Sequence, residues 1–200
     1  MKHILFVLLL ACTNNVTSDT TNLKPTKPKD FYEKLSDAAI SIVNPSIEYD
    51  PTYFTIPYPN GDVPKDKGVC TDVVIRSYRK LGIDLQKEVH EDMKKNFDKY
   101  PKAWGLKSTD SNIDHRRVPN LQVFFSRFGE VLPKTQKTAD YNPGDIVTWR
   151  LSDRHVHIGM VVGKKAASGR YLIVHNIGSG QVMEDVLFNY EITGHYRYKK

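Results

Sequence analysis

The amino-acid sequence changes its hydrophobic period part-way along, and that change constrains the fold more than any single motif. Up to Gly129 apolar residues recur every third or fourth position; beyond the turn Asn142-Pro143-Gly144-Asp145 they alternate. In the first part, Asp30 can cap a helix with Phe31, Leu35, Ala38, Ala39 and Ile42 on one face, ending near Asn44-Pro45. A second helix starts at Cys70, carries Val73, Val74, Tyr78 and Leu81, and stops at Gly82. Asp84 opens a third, with Leu85, Val89, Met93 and Phe97 in register until Pro101. Pro119 suits the first position of a fourth, whose stripe of Leu121, Phe124, Phe125 and Phe128 ends at Gly129. Residues 46–68 and 104–120 read as irregular. In the second part Ile146–Trp149, Val156–Val162, Tyr171–Ile177 and Ile192–Tyr198 read as strands, with a shorter one within Gln181–Leu187. Helices first and adjacent strands afterwards predict an α+β domain, its N-terminal helices packed on an antiparallel sheet.

The N-terminus is of another kind. Lys2 and His3 precede the apolar run Ile4 to Ala11, which is too short to span a bilayer and reads as an export signal. Leu9-Leu10-Ala11-Cys12 resembles a bacterial lipobox, so residues 1–11 are expected to be removed and Cys12 to carry a lipid. Residues 12–29, rich in Thr, Asn, Lys and Pro, read as a tether, and residues 30–200 as one domain. Thr13 is not the Asp that marks inner-membrane retention, so an outer membrane is favoured where the cell has one. The net charge of +6 is scattered, and no basic stripe interleaved with aromatics marks a nucleic-acid binder. For an exported chain, anionic wall polymer is the fitting partner of a basic surface, and we expect a monomer.

Lipidation of Cys12 leaves Cys70 as the free thiol of the mature chain. On the first turn of a helix, unpaired N–H groups and the macrodipole favour a thiolate, so Cys70 is a candidate nucleophile. The bland alternative is a small buried hydrophobe. A nucleophilic thiol needs a base and a group to orient that base. His157 in one strand and His175 in the next can supply both, with Asn176 as a second candidate for the orienting role.

These features together resemble the NlpC/P60 group of papain-like cysteine peptidases, and within it the DUF1287 family. NlpC/P60 enzymes open a helix with the cysteine, begin a strand with His-hydrophobic-Gly-hydrophobic, and place a polar residue on the next strand. Here those elements match Cys70, His157-Ile158-Gly159-Met160 and His175. The likeness to DUF1287 spans most of residues 50–198 and rests on Tyr58 to Pro64, Gly68 to Asp72, Asp84 to Gln86, Asp114 to Leu121, His175 to Gly178 and Gly194 to Arg197. The resemblance implies a papain-like fold and cleavage of amide bonds in peptidoglycan stem peptides, without a cofactor. Cys70 would attack, His157 would move the proton, His175 would orient His157, and the Cys70 N–H would hold the oxyanion. Where relatives have Asp-Cys-Ser-Gly this chain has Val69-Cys70-Thr71-Asp72, which implies a different substrate pocket. Tyr58 and Asp72 are candidate substrate contacts. Arg116 and Arg117 suit bidentate capture of carboxylates.

Two other readings compete. Asp153, His155 and His157, with His175 and His195, could bind zinc, although no metal motif accompanies them and Cys70 would go unexplained. Alternatively, a peptidase scaffold could serve as a wall-binding module without catalysis.

Overall fold

The structure is a computed structural model that describes residues 27–200. The expected signal (1–11), Cys12 and most of the expected tether (12–29) lie outside the described residues.

Helix α1 (Phe31–Ser41) opens with a reciprocal cap. The Asp30 carboxylate accepts the Glu33 N–H and the Glu33 carboxylate accepts the Asp30 N–H, both at 2.8 Å. Two short strands follow in the stretch expected to be irregular: β1 (Glu48–Tyr49) pairs in parallel with β2 (Lys67–Gly68). The next helix, α2 (Cys70–Arg79), begins on the cysteine, and Gly82 takes the positive φ of 77° that turns the chain away. Asp84 caps α3 (Leu85–Lys95). That helix ends earlier than its apolar spacing predicts. Asn96 leaves helical geometry at φ −136°, its side-chain amide bonds back to Asp92, and Phe97–Lys99 forms a 3₁₀ turn instead. Helix α4 (Val118–Phe128) carries Pro119 in its first turn, where a missing N–H costs nothing.

The remaining strands are β3 (Glu130–Val131), β4 (Ile146–Ser152), β5 (His155–Lys165), β6 (Tyr171–His175), β7 (Val182–Glu184) and β8 (Glu191–Arg197). They form one sheet in the order β3-β8-β4-β5-β6-β7, antiparallel throughout. The α+β class read from the sequence is the class observed.

Alternation gives the sheet two apolar faces. One face, with Ile146, Ile158, Met160 and Val174, packs against Leu35 of α1, Val73, Val74 and Tyr78 of α2 and Phe125 of α4. Each such side chain, fully buried, contributes about 1.5–3 kcal/mol. The other face, with Val147, Trp149, Val161 and Ile173, is covered by Tyr141 and Leu187. The Trp149 indole N–H finds its acceptor in the Leu187 carbonyl at 2.9 Å. Buried Asp145, in the turn that starts the sheet, accepts from His195 Nε2 at 2.8 Å and from Arg197 Nε at 2.5 Å.

Candidate active site

The cysteine turn is held from several sides. Val69 precedes α2 in extended geometry, and the Asp72 carboxylate reaches back to accept its N–H at 2.7 Å. Arg116 binds the same carboxylate, Nε to Oδ1 at 3.0 Å, and also donates to the backbone carbonyls of Thr52 (3.1 Å) and Asp50 (3.3 Å). Tyr49 of β1 is paired with Gly68, two residues before the cysteine. Asp72 and Arg116 therefore act on each other. The expectation that Asp72 contacts substrate is corrected, because its carboxylate is buried and outside the cleft; Arg116 lines the cleft, but its Nε, Nη1 and Nη2 are held by Asp72 and the Thr52 and Asp50 carbonyls.

Burial also changes the expected state of the sulfur. Cys70 is 5% exposed, and loss of solvent pushes its thiol up to about 12, with the nearby Asp72 charge acting in the same direction. The backbone N–H groups of Ile158, Thr71 and Cys70 itself are directed at the sulfur and pull the other way, without prevailing. The helix N-terminus was expected to supply a thiolate; at rest Cys70 is a thiol.

The histidines form a chain. His157 Nε2 lies 2.9 Å from His175 Nδ1, and His175 Nε2 lies 3.0 Å from a Glu184 carboxylate oxygen. A carboxylate only accepts, so the proton on His175 sits at Nε2. His175 Nδ1 must then accept, and His157 donates from Nε2. The remaining lone pair of His157 is on Nδ1, the atom that a general base needs free. Among the described residues, no hydrogen bond joins the Cys70 sulfur to this ring. The link between them is the peptide that joins His157 to Ile158, whose N–H faces the sulfur. Alternation along β5 sends Ile158 towards α2 and His157 to the Trp149 side, ring centroids 5.7 Å apart. Burial pushes His157 down to about 3, with the neighbouring His175 adding to the effect. Burial lowers His175 too, against the opposing pull of Glu184. Gly159 permits the chain to form: a Cβ there would stand 2.7 Å from Ile173 Cγ2 and 3.1 Å from His175 Cβ.

Beside the sulfur lies a cleft of about 390 Å³, whose walls include Tyr49, Tyr53, Cys70, Trp104, Arg117 and Val156. Tyr58 is not among its lining residues. It packs edge-on against His90 at 5.1 Å, and Tyr49 and Tyr53 hold the place expected of it. Asn176 does not touch His157: it donates to the Gly68 carbonyl at 3.2 Å and accepts from Gly178 N–H at 3.0 Å, bracing the loop before Cys70. Of the sequence candidates, Cys70, Arg116 and Arg117 line the cleft, and His157 and His175 pair on the opposite face of the sheet.

The zinc candidates are dispersed. His195 is held by Asp145, and His155 by Ser152 at 2.8 Å. Among the described residues, no group of three or more His, Cys, Asp or Glu side chains is placed to hold a metal ion.

Residues 36–198 match the family described as "Domain of unknown function (DUF1287)". The chain belongs to DUF1287. Another protein matched by this DUF1287 chain is the uncharacterised protein YijF of Escherichia coli K12, 52% identical over 164 residues, covering 82% of this chain and 80% of that protein. Among solved structures, NlpC1 of Trichomonas vaginalis aligns at a TM-score of 0.47 with 16% identity, covering 88% of this chain and 48% of that one. NlpC2 of the same organism aligns at 0.45 with 15% identity, covering 87% and 49%. This chain thus spans about half the length of those two structures.

Several residues around the site in this DUF1287 chain, Tyr53 and Val156 among them, were not singled out as site residues in the sequence. Glu184 sits in a three-residue strand with no motif around it, and only the pairing of His175 with Val182 brings it near His175. Tyr49 reaches the cleft through the short β1–β2 pairing, which is too brief to leave a periodic signal. Trp104 lies in an irregular segment and adopts φ 63°, a strained value for a bulky residue.

Proposed function

We propose that this protein is a lipid-anchored cysteine hydrolase of the cell envelope that cleaves amide bonds in peptidoglycan stem peptides. The observation that carries the reading is Cys70, which opens helix α2 beside a cleft with backbone N–H groups directed at its sulfur. In this reading His157 takes the thiol proton as sulfur attacks the carbonyl carbon, which requires its ring to turn from the Trp149 side of β5 to the α2 side. Backbone N–H at the start of α2 stabilises the oxyanion. His157 returns the proton to the departing amine as the C–N bond breaks, leaving a thioester that water hydrolyses. Because thiol and imidazole are both neutral at rest, this is general-base attack, not reaction of a preformed ion pair. The lipid on Cys12 would hold the domain within reach of the wall, on the outer membrane where there is one.

The test is digestion of purified peptidoglycan by the wild-type protein and by Cys70→Ala, with products read by mass spectrometry. New peptide fragments from the wild type alone are the expected result and identify the scissile bond. Fragments from both proteins would end the scheme. The deep burial of Cys70, with no hydrogen bond to His157, favours one alternative: a wall-binding module without catalysis. That reading gains if neither protein releases fragments and both sediment with intact sacculi.

A further inference from the structure

Arg117 is the charged side chain for which the folded chain supplies no ionic partner in the cleft. Its neighbour Arg116 is neutralised by Asp72. Arg117, in contrast, forms no salt bridge within the described residues, and its Nη1 nitrogen is buried without a hydrogen-bond acceptor. The two nearest acids are engaged elsewhere. Asp114 Oδ2 accepts from His90 Nδ1 at 2.8 Å and from the Asp110 N–H at 2.9 Å. Asp110 holds the Tyr53 hydroxyl at 3.0 Å and the Asn112 side chain at 3.0 Å. Trp104 supplies the other half of the arrangement, its indole ring lying 4.3 Å from the guanidinium carbon. Stacking fixes the plane of the guanidinium and leaves its edge to a planar acceptor.

The cleft offers nothing that competes for this edge. No Asp or Glu contributes to its lining; the nearby Asp114 and Asp110 carboxylates act on Arg117 from outside the cleft. Burial destabilises the charged guanidinium, and the Asp114 and Asp110 carboxylates offset this only in part. A cation that is partly desolvated and unpaired is a standing cost to the fold, and an incoming anion relieves it. The strained backbone of Trp104 fits the same picture, since strain of this kind persists where the surrounding structure holds a functional geometry.

We propose that Arg117, stacked on Trp104, is a carboxylate-reading subsite beside Cys70, so that the protein selects peptides with a free carboxylate near the scissile bond over their carboxamide forms. This rests on the hydrolase reading for the location of the scissile bond, but binding can be measured without hydrolysis. The full chain carrying Cys70→Ala is titrated with the tripeptide L-alanyl-γ-D-glutamyl-diaminopimelate and with the same peptide fully amidated, while tryptophan fluorescence is followed. Trp149 is buried on the far face of the sheet, so exposed Trp104 is the reporter. The acid form should bind roughly tenfold or more tightly than the amide form, as expected for charge-assisted hydrogen bonds. Arg117→Gln should abolish the preference without lowering the melting temperature, and Arg117→Lys should restore only part of it. Equal binding of both forms, no fluorescence change with either, or a preference that survives Arg117→Gln overturns the subsite. A preference for the acid form in a protein that releases no fragments from peptidoglycan would leave the subsite standing and remove the hydrolase.

Discussion

At the scale of single residues, two positions on β5 and β7 decide whether the histidine pair works. Gly159 is required for closeness, not for flexibility. A methyl group there meets Ile173 at a distance that atoms essentially do not adopt and crowds His175, so Gly159→Ala must push the β6 side chains away from β5. We expect a stability loss of about 1–3 kcal/mol by urea unfolding, together with weaker turnover, as the His157–His175 bond lengthens. Glu184 acts through another group and is a positioning residue. Glu184→Ala should lower kcat by about tenfold or more, the worth of one hydrogen bond to a charged group, with little change in KM. Glu184→Gln should recover much of this, because an amide oxygen still accepts from His175. Imidazole nitrogen NMR shifts separate the role from simple packing: the Ala variant should show mixed tautomers for both histidines, and the Gln variant a single one. His157 and Gly159 were legible as a motif because they sit together in sequence, and His175 because it lies in the next strand. Glu184 was not, since nothing local marks a residue whose partner arrives through strand pairing.

At the scale of elements, α2 and the segment before α4 behave as one piece because Asp72 and Arg116 join them. The pair is almost wholly buried, with side chains 3% and 2% exposed. Removing one partner strands the other, so Asp72→Asn should cost about 3–5 kcal/mol by chemical denaturation and loosen the cysteine turn. In the sequence these two residues look like site residues, since a charged side chain beside a nucleophile invites a substrate role. The helices themselves were legible because caps and apolar spacing are local: Asp30, Asp84 and Pro119 each fall within a residue of the element boundary they mark, and Gly82 lies three residues past the end of α2. The end of α3 was missed because Phe97 continues the apolar spacing while Asn96 turns the backbone.

For the molecule as a whole, several buried histidines make stability depend on pH. Burial lowers His115 and His157 from 6.5 to about 3. The unfolded chain therefore binds protons that the folded chain refuses, and folding is favoured fully above 6.5 and progressively less as pH falls towards 3. The urea midpoint should drop across this window, and His115→Gln should flatten its slope whatever it does to the midpoint itself. The change from helical to alternating period was enough to read the α+β class. The order of the strands was not legible, because β8, last in sequence, inserts between β3 and β4. That insertion leaves very short strands at both margins of the sheet, two residues in β3 and three in β7. A second molecule finds little open backbone along which to add a strand, and Glu130 and Glu184 put a negative charge at each margin. The carboxylate that sets the histidine tautomers therefore also guards against amyloid-like stacking, so an apolar replacement of Glu184 would trade away colloidal stability along with turnover.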